Sequence, residues 1–302
     1  MNDRPIIIFG GRGHIGYELS ELLRKFISVL MPSRTDLNLK NFEDVEAYLK
    51  VSRPGLIINA ASFSDIDLAE SSIQEAQRIN SDLPALLASE ALERKINFIQ
   101  FSTDLVFDGR GQRKPYEEDD LPNPLNVFGR SMLRGESAVK SINPNHLIFR
   151  TSRTYSLRRP CFLKKLINTL KNHGDINVVS DQHASPTWSR SVAQMVVYII
   201  KSKNLLSNEE LNNFRPGVYH IAAKGEASWY DFAEAVVEHI DRSKVQWNYE
   251  KKPILRAVDA DLVPSIAKLP RYSVLSTLKT EKEFGISPTF WVEQLKECLN
   301  EF

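Results

Sequence analysis

Gly10, Gly13 and Gly16 follow the apolar run Ile6-Ile7-Ile8-Phe9 and open a helical pattern. A strand, a glycine loop and a helix in that order suit one chemical task, the cradling of a pyrophosphate. The loop tightens, the backbone approaches the phosphates, and the first helical turn, with His14 and Ile15, supplies amide donors and a partial positive charge. A tight strand-to-helix turn also needs glycine for structural reasons alone. The loop counts as a candidate dinucleotide site because alternating strands and helices follow it.

Two more groups fit the same ligand. Ala60, Ala61 and Ser62 stand at the carboxyl end of an expected strand over 55–59, where small side chains let a ribose or nicotinamide pass close; their other use is packing against the first helix. A second strand, expected over 27–31, ends in Met31-Pro32-Ser33-Arg34, with no carboxylate to grip a ribose 2′-hydroxyl. Arg34, with Arg12 from the loop, can pair a 2′-phosphate instead, which favours NADP(H) over NAD(H). The plainer alternative is two solvated arginines.

The elements that must position these residues alternate through the first half of the chain. Helical patterns cover 42–51 and 72–95, the second interrupted by Pro84, which should kink or split it. Strands are expected over 96–101 and 146–149, with a helix starting near Asn126 between them. Such βαβ succession predicts a Rossmann-type, doubly wound parallel α/β sheet. The polar, proline-rich stretch 110–126 reads as a surface loop beside the site. Beyond Thr151, short apolar segments (177–179, 217–221) alternate with helices near 162–173, 190–202, 229–240 and 289–299. The last begins with Ser287 as N-cap and Pro288 in its first turn, and aligns Trp291, Leu295 and Leu299 on a core-facing stripe. The expected division is a cofactor domain of 1–152 plus about 188–213, and a smaller, interleaved α/β C-terminal lobe of 153–187 and 214–302.

Bulk properties exclude several classes. A formal net charge of +1 over 302 residues offers no general pull on nucleic acid or anionic membrane. With only two cysteines, Cys161 and Cys298, neither a disulfide framework nor a thiolate metal cluster is expected. Histidines and carboxylates never assemble at ligand spacing, so no metal site is expected. No apolar stretch is long enough for a signal peptide or a membrane span, which makes the cytoplasm the expected location.

Several stretches in series carry a resemblance. They are Ile8-Phe9-Gly10 with Gly13 and Gly16, Asn59-Ala60-Ala61, Ser102-Thr103-Asp104-Leu105-Val106-Phe107 and Pro122-Asn123-Pro124-Leu125-Asn126. Phe149-Arg150-Thr151-Ser152, Asp181-Gln182 with Pro186-Thr187, and Leu269-Pro270-Arg271-Tyr272-Ser273 complete the set. Together they resemble the extended short-chain dehydrogenase/reductases, and within them the dTDP-4-dehydrorhamnose reductase group. The resemblance implies a Rossmann domain for NAD(P)H and a C-terminal lobe holding a nucleotide-linked deoxysugar.

The resemblance also implies a catalytic set, and here the chain departs from it. The group protonates the nascent alkoxide from a Tyr whose pKa is lowered by a Lys four residues on, while a residue at the Thr103 position polarises the ketone. The Tyr-x-x-x-Lys positions read Phe128-Gly129-Arg130-Ser131-Met132. Phe128 lacks the phenol and Met132 the ammonium; one turn apart, they form a good apolar pair. Arg153 stands where an aromatic usually packs on the sugar, Leu269 where an Arg usually precedes Pro270 (with Lys268 and Arg271 on either side), and Leu68 where a Lys often adjoins Asp65, Asp67 and Glu70. Losing a positioned general acid costs about two to four orders of magnitude in rate.

Other candidates for the proton are Tyr155, Tyr116, His183, and Thr103 through water. His183 has an unperturbed pKa near neutrality, although a loop histidine is more often a plain hydrogen-bonding residue. Asp104, Arg153, Tyr155, Gln182 and His183 are the candidates for the substrate side. Two functions follow. One is an NAD(P)(H)-binding, reductase-like protein of nucleotide-deoxysugar metabolism with a non-standard site. The other is a catalytically inactive cofactor-binding subunit that regulates or accompanies a protein partner.

Overall fold

The computed structural model describes residues 4–110, 113–173, 175–206, 214–240 and 254–301. β1 (Ile6–Phe9) enters the glycine loop, and α1 (His14–Leu23) returns the chain to β2 (Val29–Leu30). α2 (Phe42–Ser52) precedes β3 (Leu56–Asn59), after which α3 (Ile66–Ser71), α4 (Ile73–Gln77) and α5 (Leu83–Glu93) lead to β4 (Asn97–Thr103). α6 (Val127–Ile142) connects to β5 (His146–Thr151). The rest of the chain runs through β6 (Thr154–Tyr155), α7 (Phe162–His173), β7 (Ile176–Val179), β8 (His183–Ala184), β9 (Thr187–Trp188) and α8 (Ser189–Ser202). Then come β10 (Gly217–His220), β11 (Ala227–Ser228), α9 (Trp229–His239), β12 (Leu255–Val258), α10 (Leu278–Phe284) and α11 (Trp291–Asn300).

Six parallel strands form the central sheet in the order β10-β5-β4-β3-β1-β2. β1 is apolar at every position because both of its faces are covered. Ile6 and Ile8 join the core under α1 and α8, whereas Ile7 and Phe9 join the one under α2 and α5. This is the doubly wound α/β fold the sequence predicts. Strand order reverses between β1 and β3, so a crevice opens at their carboxyl ends, where such sheets bind ligands. A separate core around Leu163, Leu166, Trp188, Phe232, Val236, Leu295 and Leu299 holds the second lobe together. Three two-stranded pairs, β11–β8, β12–β7 and β6–β9, accompany it.

Pro84 acts as expected, with one refinement. The helical pattern does not kink at Pro84; it passes through a π-helical stretch at Arg78–Asp82 and resumes as α5 with the proline in its first turn. Proline has no N–H for the carbonyl four residues back, that of Asn80. Gly135 of α6 packs against this same carbonyl so closely that a Cβ would come within 2.1 Å of it.

Four boundaries differ from expectation. β2 is confined to Val29 and Leu30, because the amides of Phe26 and Ile27 both bond to Leu23 O and finish α1. β10, expected in the second lobe, pairs with β5 as the outer strand of the central sheet, and Tyr219, Ile221 and Phe284 fill the Rossmann core. Residues 207–213, at the end of the segment assigned to the cofactor domain, lie outside the described residues. α11 starts at Trp291, with Phe290 rather than Ser287 as its N-cap. The Glu293 carboxylate takes the Phe290 amide at 3.2 Å, while Ser287 Oγ is held by Lys224 Nζ at 2.9 Å. Leu295 and Leu299 are core as expected, with Trp291 packed against them. Finally, the 110–126 segment is not all surface. Tyr116 stacks on Phe107 with ring centroids 4.1 Å apart, and buried Glu118 accepts the His220 amide at 2.9 Å.

Candidate active site

The crevice has two compartments that share His14, Ile15, Ala60, Ala61 and Ser62 as a common wall. The first is a cavity of about 600 Å³ above the glycine loop. Gly10 has a φ of 76°, and a Cβ on it would lie 2.5 Å from the Ala60 backbone. A Cβ on Gly16 would lie 2.4 Å from Gly10 O. Loop, helix and β3 thus approach to a distance only glycine permits. Gly13 caps α1 with no side chain, so no side-chain oxygen takes the first-turn amides, and an anion at the helix N-terminus suits them. Arg12, Arg34 and Arg159 line this compartment. Arg159 donates to Arg12 O at 2.6 Å, and His14 Nδ1 pairs with Ser156 Oγ at 2.7 Å, so the segment after β6 closes over the loop. Burial, with the Arg159 charge, holds the His14 pKa below its ordinary value.

The second compartment, about 510 Å³, lies over the carboxyl end of β4. Thr103, Asp104, Phe128, Met132, Arg153 and Gln182 all line it. Asp104 is enclosed by hydroxyls: Ser273 Oγ donates to Oδ2 at 2.6 Å, Ser152 Oγ donates to the same oxygen at 2.8 Å, and Thr103 Oγ1 stands 3.2 Å from Oδ1. Burial raises the Asp104 pKa; the three hydroxyls and the Arg153 charge oppose that shift without cancelling it.

α6 presents the Phe128 and Met132 positions. Asn126 caps it, its Oδ1 accepting from Gly129 N at 2.7 Å while its Nδ2 donates to Lys268 O at 2.8 Å. Glu70 Oε1 takes the Val127 amide at 2.7 Å. Phe128 and Met132 are buried in an apolar cluster with Ala69, Ala76 and Val127. Beneath them lies a polar floor. Glu136 forms a fully buried bidentate pair with Arg150, at 2.8 and 2.7 Å, and also accepts Ser102 Oγ at 2.5 Å.

Arg153, with φ of 40°, lies over the Trp229 ring at 4.3 Å and donates to Ala227 O and Gln182 O at 3.2 and 3.0 Å. Burial draws its pKa down to about 10. Trp229, from a different element, places an aromatic ring in the lining of the same compartment.

Three sequence candidates fall outside the cleft. Tyr155 points into the second-lobe core, 5.1 Å from Phe232, its hydroxyl without a partner among the described residues and its pKa pushed well up by burial. His183 pairs with β11 through Ser228, and its amide donates to Arg271 O. The Tyr116 hydroxyl accepts from Gly109 N at 3.0 Å beneath Phe107. The acidic residues of α3 are structural clamps: Asp65 caps the helix, Asp67 binds the amides of Ile266 and Ala267, and Glu70 holds α6. Arg271 is engaged by Asp181, Asp259 and Asp261, and Leu269 rather than Lys268 lines the cavity. Among the described residues no group of three or more His, Cys, Asp or Glu is placed to hold a metal. Nor is any helix there long and apolar enough to cross a membrane.

The family profile of the RmlD substrate binding domain matches residues 4–302. The chain belongs to the RmlD family. It is 32% identical over 293 residues to a dTDP-4-dehydrorhamnose reductase of Aggregatibacter actinomycetemcomitans, covering 96% of this chain and 97% of that one. A reductase structure of that name from Clostridium acetobutylicum superposes with a TM-score of 0.87 at 31% identity, over 98% of this chain and 99% of that one. A Bacillus anthracis structure, in complex with NADP, does so at 0.86 and 26%, over 99% and 100%. The chain is thus a dTDP-4-dehydrorhamnose reductase-like protein. Within the RmlD frame, sequence reasoning did not single out Arg159, Trp229 or Ser273 as site residues. Ser273 sits in a recognised motif, but its partner Asp104 lies 169 positions away in the chain.

Proposed function

We propose that this protein is an NADP(H)-dependent oxidoreductase that reduces a nucleotide-linked deoxysugar ketone, with a proton source other than the usual dyad. The observation that carries this reading is the continuity of the cleft. A compartment lined by the glycine loop and by Arg12, Arg34 and Arg159 runs along a shared wall into one bearing Thr103 and Asp104. The names of the relatives, and the NADP held by the Bacillus anthracis protein, support the same assignment.

In this reading Gly10, Gly13, His14, Ile15 and Gly16 take the pyrophosphate, and Arg34 with Arg12 takes the 2′-phosphate. Ala60, Ala61 and Ser62 flank the ribose and nicotinamide. Thr103 donates a hydrogen bond to the ketone oxygen, and Arg153 and Gln182 face the sugar with Trp229. Phe128 and Met132 shape the wall and exchange no proton. A reduced nicotinamide supplies the hydride. The cofactor domain is the β1–β5 sheet with β10, and the substrate lobe is built on the α7–α9–α11 core. The proposed location is the cytoplasm.

The test is NADPH oxidation in the presence of a dTDP-linked 4-keto-6-deoxyhexose. Slow turnover is expected, and the joint change Phe128→Tyr with Met132→Lys is expected to raise it about 100-fold, the range of a positioned general acid. Tight NADPH binding with no turnover by either protein overturns the reading in favour of a binding subunit, for which the apolar cluster around Phe128 and Met132 is the structural argument.

A further inference from the structure

Four ionisable side chains line the reaction compartment: His14, Asp104, Arg153 and Cys161. His14 is engaged with Ser156 at the phosphate end, and the Cys161 thiol donates to Ser156 O at 3.2 Å. Arg153 spends two donors on carbonyls and stays a cation at neutral pH. Asp104 is different. Its Oδ2 is held by two serine hydroxyls, and its Oδ1 faces the hydroxyl of Thr103, the residue assigned above to bond the ketone oxygen.

We propose that Asp104 is the proton reservoir of this site and delivers its proton through the Thr103 hydroxyl to the oxygen of the reduced ketone. The inference rests on the reductase reading above. Hydride from a reduced nicotinamide forms the new C–H bond at the carbonyl carbon, and the carbonyl π pair moves onto oxygen. The Thr103 O–H bond breaks as the product O–H forms, and the Asp104 O–H bond breaks as the Thr103 O–H is remade. Asp104 is left as a carboxylate. Ser152 and Ser273 stabilise that charge through Oδ2, and water returns the proton when product leaves.

The surroundings suit both states. Asp104 is 3% exposed, and burial favours the protonated form from which the relay starts. The groups facing it are the hydroxyls of Thr103, Ser152 and Ser273 and one charge, the Arg153 guanidinium; the Glu136–Arg150 pair is spent on itself and on Ser102. Thr103 Oγ1 also accepts the Leu105 amide at 3.2 Å, which fixes its rotamer with the proton free to point to Asp104 or to the substrate. Asp104 acts through Thr103, so it is a positioning residue with a titrating role.

The experiment compares kcat for NADPH oxidation with the keto-sugar in two backgrounds, the natural chain and the Phe128→Tyr/Met132→Lys chain. Asp104→Asn should lower kcat about 100-fold in the first, with KM for the sugar and Kd for NADPH changed less than about threefold. In the second, where a phenol supplies the proton, the same change should cost less than about threefold. Equal losses in both backgrounds mean a structural role and overturn the proposal, as does an unchanged rate in the first.

Should Asp104→Asn fail to fold, the pH profile of the unaltered protein decides. Its kcat should fall as pH rises through the raised carboxyl pKa of Asp104, and the Tyr/Lys variant should lose that limb. A kcat profile with no such falling limb on the alkaline side overturns the proposal. Absence of any turnover by the natural chain, with NADPH bound, removes the reductase reading itself and the relay with it.

Discussion

At its phosphate end the cleft is made of backbone. Gly10 and Gly16 bring loop, helix and β3 together at distances that exclude a Cβ, and the Gly13 cap offers no side chain to the first-turn amides of α1. At its other end the cleft is made of side chains carried on the same kind of scaffold, among them Phe128, Met132, Thr103 and Asp104. The supports differ too. β1 is apolar on both faces under the phosphate end, whereas Glu136, Arg150, Ser102 and His220 form a buried polar layer near the reaction end. A ligand site written in backbone geometry cannot change without damaging the fold. One written in side chains can lose its acid and leave every strand in place. The two ends of the cleft therefore rest on different kinds of constraint.

Three measurements can break or sharpen that contrast. The largest effect is expected from Gly16→Val, whose side chain would start 2.4 Å from Gly10 O. It should cost about 3 kcal/mol of stability by denaturant unfolding and abolish NADPH binding. A stable variant that still binds NADPH would break the contrast at its stronger half.

The second concerns the polar layer. His220 is buried beside Arg150, and burial and that charge lower its pKa to about 3. It stays neutral when folded but takes a proton near pH 6.5 when unfolded. Its contribution is therefore complete above about pH 6.5 and is lost as pH falls toward 3. From pH 6.5 to 5 the loss should reach about 2 kcal/mol, read as the difference between the stability curves of the natural protein and His220→Gln. Parallel curves would remove acid lability from the reaction end.

The smallest effect belongs to the arginines that line the phosphate end beside its backbone. Arg34→Ala should reduce the preference for NADPH over NADH about tenfold, near 1.4 kcal/mol, in a direct titration of both cofactors. An unchanged preference would remove Arg34 from cofactor selection.

The same contrast explains what could be read in the sequence. The glycine loop, Ala60-Ala61-Ser62 and the alternating elements were legible because backbone constraints force particular residues into particular places. Thr103, Asp104, Phe128 and Met132 were legible because they sit in motifs on β4 and α6, and the cleft contains all four. Tyr155 and His183 lie outside the cleft; β6 and β8 are two residues long, too short for any pattern to mark the inward face. β10, expected in the second lobe, joins the central sheet beside β5; four residues after a long excursion carry no signal of which strand they will join. Ser273 and Trp229 reach the cleft from distant segments, and only the folded chain brings them to Asp104 and Arg153.

The π-helical stretch at Arg78–Asp82 amounts to an α-helix with one residue inserted. Removing that residue would turn α5 by about 100° around its axis and swing Leu83 and Leu87 away from the sheet. Asn80, within the stretch, holds the Phe63 amide on one side at 2.8 Å and Ser131 of α6 on the other at 2.9 Å. The insertion therefore acts as a spacer that fixes the gauge between the β3 wall of the cleft and the helix that presents Phe128 and Met132. A single-residue deletion there should change the width of the reaction compartment without altering any residue that lines it.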